Sequence, residues 1–458
     1  MTTTAPTRIP FDYLDKACLS GTSRAHGCSG APIWEFVIDG QLEPELLRDA
    51  FRKTLMAYPT ARARVVAEGD PDKAKRFFYE VDERLDTDTL IHIVEIAEGD
   101  ERALEALRYT VWDHYIDLFT DTPVRLTYAR LGPQRGHLFF QQHHAIADGR
   151  AFIGLLKRFT EHMRDPELAV TEPTPKIAED GILGLSRLRR FMWTIAGAFI
   201  TLATLLGGLL RPIRPMAHNR CNDFTGGNRA RFVAIPDRIL ERWKPAARRA
   251  GVNVNAVLTA VMLRTFARWS EGLGQPPGRT NCIVPAETRP RDGSVTSFAN
   301  HLASFYITAD LDPLPTVDAL ARRIHAQIRK QARRNVHLKK LLAERGVVLG
   351  MPMSKMRKLV FNAERASVNV AFSNLIPLEF PTLSGPGWEA TAVRICTPGI
   401  PWGGAGPTVA RYGGELCFNL NYTESAVPTH SMDQLVAIFR DELDAAWQGL
   451  GCDPLPAP

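Results

Sequence analysis

Little in this sequence suits a cross-linked, exported or metal-bound protein. Its seven cysteines are odd in number and scattered from Cys18 to Cys452 with no Cys-x-x-Cys pair, which excludes a disulfide framework and argues for reduced thiols in a cytoplasmic protein. The first residues, Met-Thr-Thr-Thr-Ala-Pro, lack the charged start and apolar run of a signal peptide, so secretion is not expected. No Gly-x-Ser-x-Gly elbow is present, which leaves a serine acyl-enzyme without support. Gly272, Gly274 and Gly278 fail the dinucleotide-binding spacing, and Pro276 and Pro277 interrupt them, so that loop reads as a connector. Internal repeats and low-complexity tracts are missing as well.

What is present is the composition of a globular protein. With 458 residues, 45% of them hydrophobic and 23% charged, the chain can bury a sizeable core, and its length fits two large domains. The net charge of +6 is too mild to imply nucleic acid. It suits phosphate-bearing donors, acidic carrier proteins or anionic lipid surfaces. Strand-like and helix-like segments alternate, which places the fold in the α/β class. Residues 33–38 read as a strand and 46–55 as a helix, ended by Pro59. Further strands are expected over 62–66 and 91–94, and a helix over 101–114. Residues 125–131 and 137–143 then pair as a hairpin across 132–136.

The chemistry concentrates at the end of that hairpin, where His143, His144, Asp148 and Gly149 lie between a buried apolar run (Leu138, Phe139, Phe140) and a segment of helical spacing. Neighbouring strand residues point to opposite faces, so the two histidines cannot both face one cavity. That divergence, and the lack of other ligands nearby, weigh against a metal site. An imidazole is well matched to accept a proton near neutral pH. A carboxylate at Asp148 can cap the following helix or hold an arginine from elsewhere in the chain. Gly149 removes a side chain where the backbone would otherwise crowd a channel.

This His-His-x-x-x-Asp-Gly pattern on a strand-loop-helix junction resembles the active-site motif of the CoA-dependent acyltransferase superfamily, which includes the chloramphenicol acetyltransferases, the peptide-synthetase condensation domains, the polyketide-associated acyltransferases and the wax ester synthase/diacylglycerol acyltransferases. The resemblance extends over nearly the whole chain. Residues 116–126, with Asp117-Leu118 and Pro123, are similar to the segment leading into the motif. Val284-Pro285 through Arg289-Pro290, then Asn300, resemble the Val-Pro-x-x-x-Arg-Pro and Gly-Asn segments of the wax ester synthase-like branch, although Ala299 replaces the glycine. Ser373-Asn374-Leu375-Ile376-Pro377 is similar to that branch's Ser-Asn-Val-Pro, and 412–422 to the last hairpin strand. The Asp-Phe-Gly-Trp-Gly signature of plant-type members is missing, with only Pro401-Trp402-Gly403-Gly404 in that region.

The resemblance implies two chloramphenicol-acetyltransferase-like domains with mixed sheets, flanking helices and a channel between them. Residues 1–180 would form the N-terminal domain, 181–220 a crossover or membrane-interface helix and 221–458 the C-terminal domain. His144 would be the general base, moving an acyl group from acyl-CoA or an acyl-carrier protein to an alcohol or amine in a ternary complex, with no cofactor or metal, and the expected product is an ester in lipid or natural-product biosynthesis. His143, Asp148, Gly149, Arg289 and Asn300 would support the site, Arg289 by pairing with Asp148. Two alternatives remain: a condensation-type catalyst forming amides on carrier-bound substrates, and a catalytically idle membrane-associated binding module.

Two stretches stand apart from the motif. Residues 191–210 carry no charge, are flanked by Arg187, Arg189, Arg190, Arg211, Arg214 and Arg220, and have no acidic residue near them between Asp180 and Asp223. The length would span a bilayer, but a single crossing would separate the motif from the later pieces of the same site. Thr194, Gly197, Thr201, Thr204 and Gly208 form a weakly polar stripe, which suits a helix lying in an anionic membrane interface on the inner face of the membrane. The competing reading is a crossover helix buried between domains. The second stretch, a helix after Thr316, becomes strongly basic through to Lys340 and reads as a solvated face, able also to receive a CoA phosphate or an acidic carrier domain.

Overall fold

Period-two apolar segments build the sheets of this protein and 3.6-period segments cover them. The computed structural model describes residues 6–24, 27–170, 174–178, 182–217, 226–290, 296–361, 368–397, 406–425, 427–453 and 455. The domain boundaries expected at 180/181 and 220/221, together with Arg220 and Pro401 through Gly404, lie outside the described residues.

The first sheet has six strands in the order Ser384–Gly385, Trp388–Cys396, Ile33–Gly40, Arg135–Gln142, Val124–Leu131 and Ile91–Ile96. All neighbours are antiparallel except the last two. Both faces are buried, which explains the unbroken apolar run in the strand before the motif. Leu138 and Phe140 pack with Phe51, Phe152 and Phe159 of helices Pro44–Met56 and Gly149–Arg164. Phe139 points the other way, onto Leu104 and Trp112 of helix Glu101–Trp112. On the same sheet Glu35 is fully buried, receiving Arg108 at 2.8 Å and meeting His137 at 2.7 Å and Arg394 at 3.6 Å.

The second half of the chain forms two further sheets that share one extended segment. Residues 370–374 pair in parallel with Arg279–Glu287 on one side and with Thr408–Tyr412 on the other. Leu302–Asp310 borders the first of these, while Glu415–Thr423 and Asn228–Pro236 follow the second. Helices Val254–Gly272, Val317–Arg333 and Thr429–Gln448 cover them around a second core, in which Trp243 and Trp447 stack at 4.1 Å. Sheet membership does not follow chain order, because Trp388–Cys396 leaves the second half and pairs with Ile33–Gly40 in the first.

Two expectations are corrected here. The basic segment after Thr316 is two helices, Val317–Arg333 and Val336–Gly350, broken at Asn335, whose φ of 50° is left-handed. The apolar segment is a helix, Arg187–Leu210, but it is no buried crossover, since Gly197 is its one buried residue. A Cβ at Gly197 would stand 1.9 Å from the Lys339 carbonyl of helix Val336–Gly350. The small-residue stripe is therefore centred on the side that packs against protein.

Candidate active site

The motif turns out of its strand on backbone bonds to two other loops: His143 N–H donates to the Pro123 carbonyl at 2.8 Å and His144 N–H to that of Gly30 at 2.9 Å. Gly30 must be glycine. Its φ is 62°, and a Cβ there would stand 2.3 Å from Thr22 and 3.3 Å from His143 Nε2. His143 is wholly buried, and its Nδ1 accepts the Ala145 N–H at 3.0 Å. Burial and the neighbouring charge on His144 push its pKa down to about 3, so it is a neutral, structural imidazole.

Asp148 caps helix Gly149–Arg164 by accepting the Ala151 N–H at 2.9 Å. Its carboxylate also receives Arg289 Nη1 at 2.9 and 3.2 Å and the His301 N–H at 2.7 Å. Arg289 is buried too, and satisfies the Ala299 carbonyl at 2.7 Å and Glu287 at 2.5 Å. The pair thus joins a residue of the first half to one of the second across 141 positions of sequence. The fork is not bidentate in the sense of two nitrogens on two oxygens, because both contacts come from Nη1.

Asn300 controls His144. Its side-chain N–H₂ donates to the carbonyls of His144 at 2.8 Å and Ala145 at 2.9 Å, which turns its oxygen toward His144 Nδ1 at 3.2 Å. An acceptor at Nδ1 places the ring proton there and leaves the Nε2 lone pair open. His144 lines a cavity of about 350 Å³ whose wall is mostly apolar, formed by Trp34, Ala147 and Gly149 from the first half and by Val284, Pro285 and Leu375 from the second. Burial, the largest influence, disfavours the His144 imidazolium, but Cys18, whose sulfur lies 3.8 Å from Nδ1, together with a backbone hydrogen bond and Asp148, raises the histidine to about 9. Gly149 is a wall residue, not a point of backbone crowding, because a Cβ there would meet Trp34 and Leu375 at an ordinary 3.7 Å.

Across its full length the backbone matches solved structures with which it shares little sequence. The first condensation domain of the calcium-dependent antibiotic synthetase, solved with a substrate analogue, has a TM-score of 0.69 at 14% identity, covering 99% of this chain and 98% of that one. The condensation domain of the monacolin K polyketide synthase gives 0.67 at 12% identity, over 96% and 97% of the two chains. The fold is that of the condensation domains. Polyketide synthase associated protein 5 from Mycobacterium tuberculosis shares it, with a TM-score of 0.62 at 16% identity over 95% of this chain and 98% of that one. No family model matches the sequence, and no curated protein matches it.

Within this condensation-domain fold the structure brings His143, His144, Asp148, Gly149, Arg289 and Asn300 into one site between two lobes. The basic helices stand apart from it: Arg322, Arg323, Arg329 and Lys330 are exposed, and none of them lines the cavity. Lys340 is buried instead, 3.5 Å above the Tyr306 ring. Sequence reasoning missed Cys18 and Gly30. Cys18 rides on helix Tyr13–Ser20, whose signal was the Asp12 cap with Asp15 three residues on. Gly30 was signalled only by the Ser29-Gly30 turn pair.

Proposed function

We propose that the protein is an acyltransferase that moves an acyl group from a thioester, held on CoA or on a carrier protein, to an alcohol or amine, with His144 as general base. The observation that carries this reading is the Asn300 oxygen 3.2 Å from His144 Nδ1, which holds the proton on that nitrogen and leaves Nε2 for the cavity. Nε2 takes the proton of the acceptor O–H or N–H as that atom attacks the thioester carbonyl. The C–S bond then breaks and the imidazolium returns the proton to the departing sulfur. No step needs a metal or a cofactor. Attack within one cavity fits direct transfer between two bound substrates.

The neighbours include domains whose names place them in peptide and polyketide assembly, which supports a carrier-bound thioester in natural-product biosynthesis. The same neighbours favour a second reading, amide formation between carrier-bound substrates. The ordered Asn300–His144 contact argues against a catalytically idle scaffold. To test the proposal, the protein would be incubated with acyl-CoAs of graded length and with acyl-carrier protein, each against alcohols and amines. His144→Ala should lower transfer roughly 10²–10⁴-fold with the melting temperature unchanged. Transfer at the parent rate by that variant would overturn the mechanism, and preference for a carrier-bound amine would select the amide-forming reading.

A further inference from the structure

Among the described residues, most of the exposed large apolar side chains lie on one helix, Arg187–Leu210. Leu210 is 84% exposed, Leu209 80%, Leu188 73% and Phe199 68%. At about 100° per residue, these and the other exposed large apolar positions of the helix fall within an arc of roughly 140°, and Gly197 lies about 150° from its centre. The helix is therefore fastened by its back to Val336–Gly350, at the Lys339 carbonyl, and presents a continuous apolar face outward. Its length of about 36 Å would cross a bilayer. Crossing is ruled out by the site itself. Asp148 precedes the helix, Arg289 follows it, and the two side chains meet at 2.9 Å.

We infer that this face docks the protein on an anionic lipid surface, with the helix lying in the plane of the headgroups. Charge selects that occupant. Arg187 and Arg189 flank the start of the apolar face and Arg211 and Arg214 its end, with no acidic residue between Asp180 and Asp223. Arg189 and Lys339 both approach the ring of Trp193, at 4.9 and 5.6 Å, on the flank of the helix. A second copy of the chain is a poor partner. Because both ends of the helix are cationic, pairing it with itself in either direction sets arginine against arginine. Headgroup phosphates neutralise both ends while the acyl boundary takes up the leucines. The same helix reaches the catalytic histidine through two packed elements: Val336–Gly350 touches Tyr13–Ser20, which holds Cys18 beside His144.

The test uses the full chain and vesicles of phosphatidylcholine with or without phosphatidylglycerol. Cosedimentation should occur with the anionic vesicles at low ionic strength and weaken as salt approaches about 1 M, where the screening length is about 3 Å. The combined variant Phe199→Ser, Leu206→Ser, Leu209→Ser should bind tenfold or more weakly while keeping the parent's melting temperature and its transfer activity on soluble substrates. Arg211→Gln with Arg214→Gln should lose roughly fivefold per arginine on anionic vesicles and nothing on neutral ones. That second variant keeps the inference open to refutation should the first fail to fold. Three outcomes would overturn it: a parent protein that ignores anionic vesicles at low salt, a serine variant that binds as the parent does, or a parent that forms dimers which the serine variant dissolves while vesicles stay unbound.

Discussion

The motif junction and the helix Arg187–Leu210 are built on opposite principles. At the junction the key polar groups are answered from other parts of the chain: Asp148 by Arg289, the His144 ring and carbonyl by Asn300, the His144 N–H by Gly30. On the helix almost nothing is buried, and one glycine marks the attachment. The first arrangement fixes polar side chains against one another in a low-dielectric space. The second offers area and charge to something outside. One chain thus uses long-range polar pairing at the junction and local composition on the helix.

Substitutions should separate these principles cleanly. Arg289→Met strands the Asp148 carboxylate without its counter-charge, and breaking a buried pair from one side costs about 3–5 kcal/mol. Urea denaturation should register that loss as a lower midpoint for the whole protein. A midpoint unchanged from the parent would mean that the lobes are joined by other contacts. Gly197→Leu should be smaller and local, about 1–3 kcal/mol, because the new side chain meets the Lys339 backbone. Hydrogen exchange should then rise along Arg187–Leu210 while the sheets stay protected. Loss of protection across both lobes would make the helix part of the core after all.

The smallest effect is the most diagnostic for the junction. The proposed base His144 must be neutral to act, and its pKa is raised to about 9 against the opposing effect of burial, with Cys18, 3.8 Å from Nδ1, foremost among the groups that raise it. Cys18→Ala leaves burial as the main influence and lowers that pKa, so the rising limb of transfer rate against pH should move toward acid. A limb that stays in place would show Cys18 to be an uncharged neighbour.

Much of the junction was legible because its residue types are few and their spacing is fixed by a strand end and a helix start. Chemistry alone offered Asp148 an arginine from elsewhere in the chain, and the family resemblance named Arg289 as that partner. The fork geometry could not be read, because it depends on how Glu287 and the Ala299 carbonyl share the same guanidinium. Cys18 stayed hidden because nothing local ties helix Tyr13–Ser20 to a loop more than a hundred residues away. The strand Ile33–Gly40 was visible from its own apolar residues, but its neighbour Trp388–Cys396 was not, since a register shift between Ala390 and Ala392 breaks the phase of its alternation. For the apolar helix, composition revealed the element but not which side faced protein, and the small-residue stripe that read as the wet side is the packed one.

That late strand has a consequence for biogenesis. Ile33–Gly40 emerges from the ribosome early, yet its partner Trp388–Cys396 follows about 350 residues later, which at roughly 5–20 residues per second is a delay of about 20–70 s. Throughout that interval the nascent first lobe carries an open sheet edge, the kind of surface that recruits other strands. Glu35 sits in the middle of this edge strand, already held by Arg108 and His137, and a buried carboxylate there is a poor template for a stray apolar strand. Arg394 arrives on the proper partner, 3.6 Å from the same carboxylate. The edge is in effect coded, and the strand that closes it brings the complementary charge.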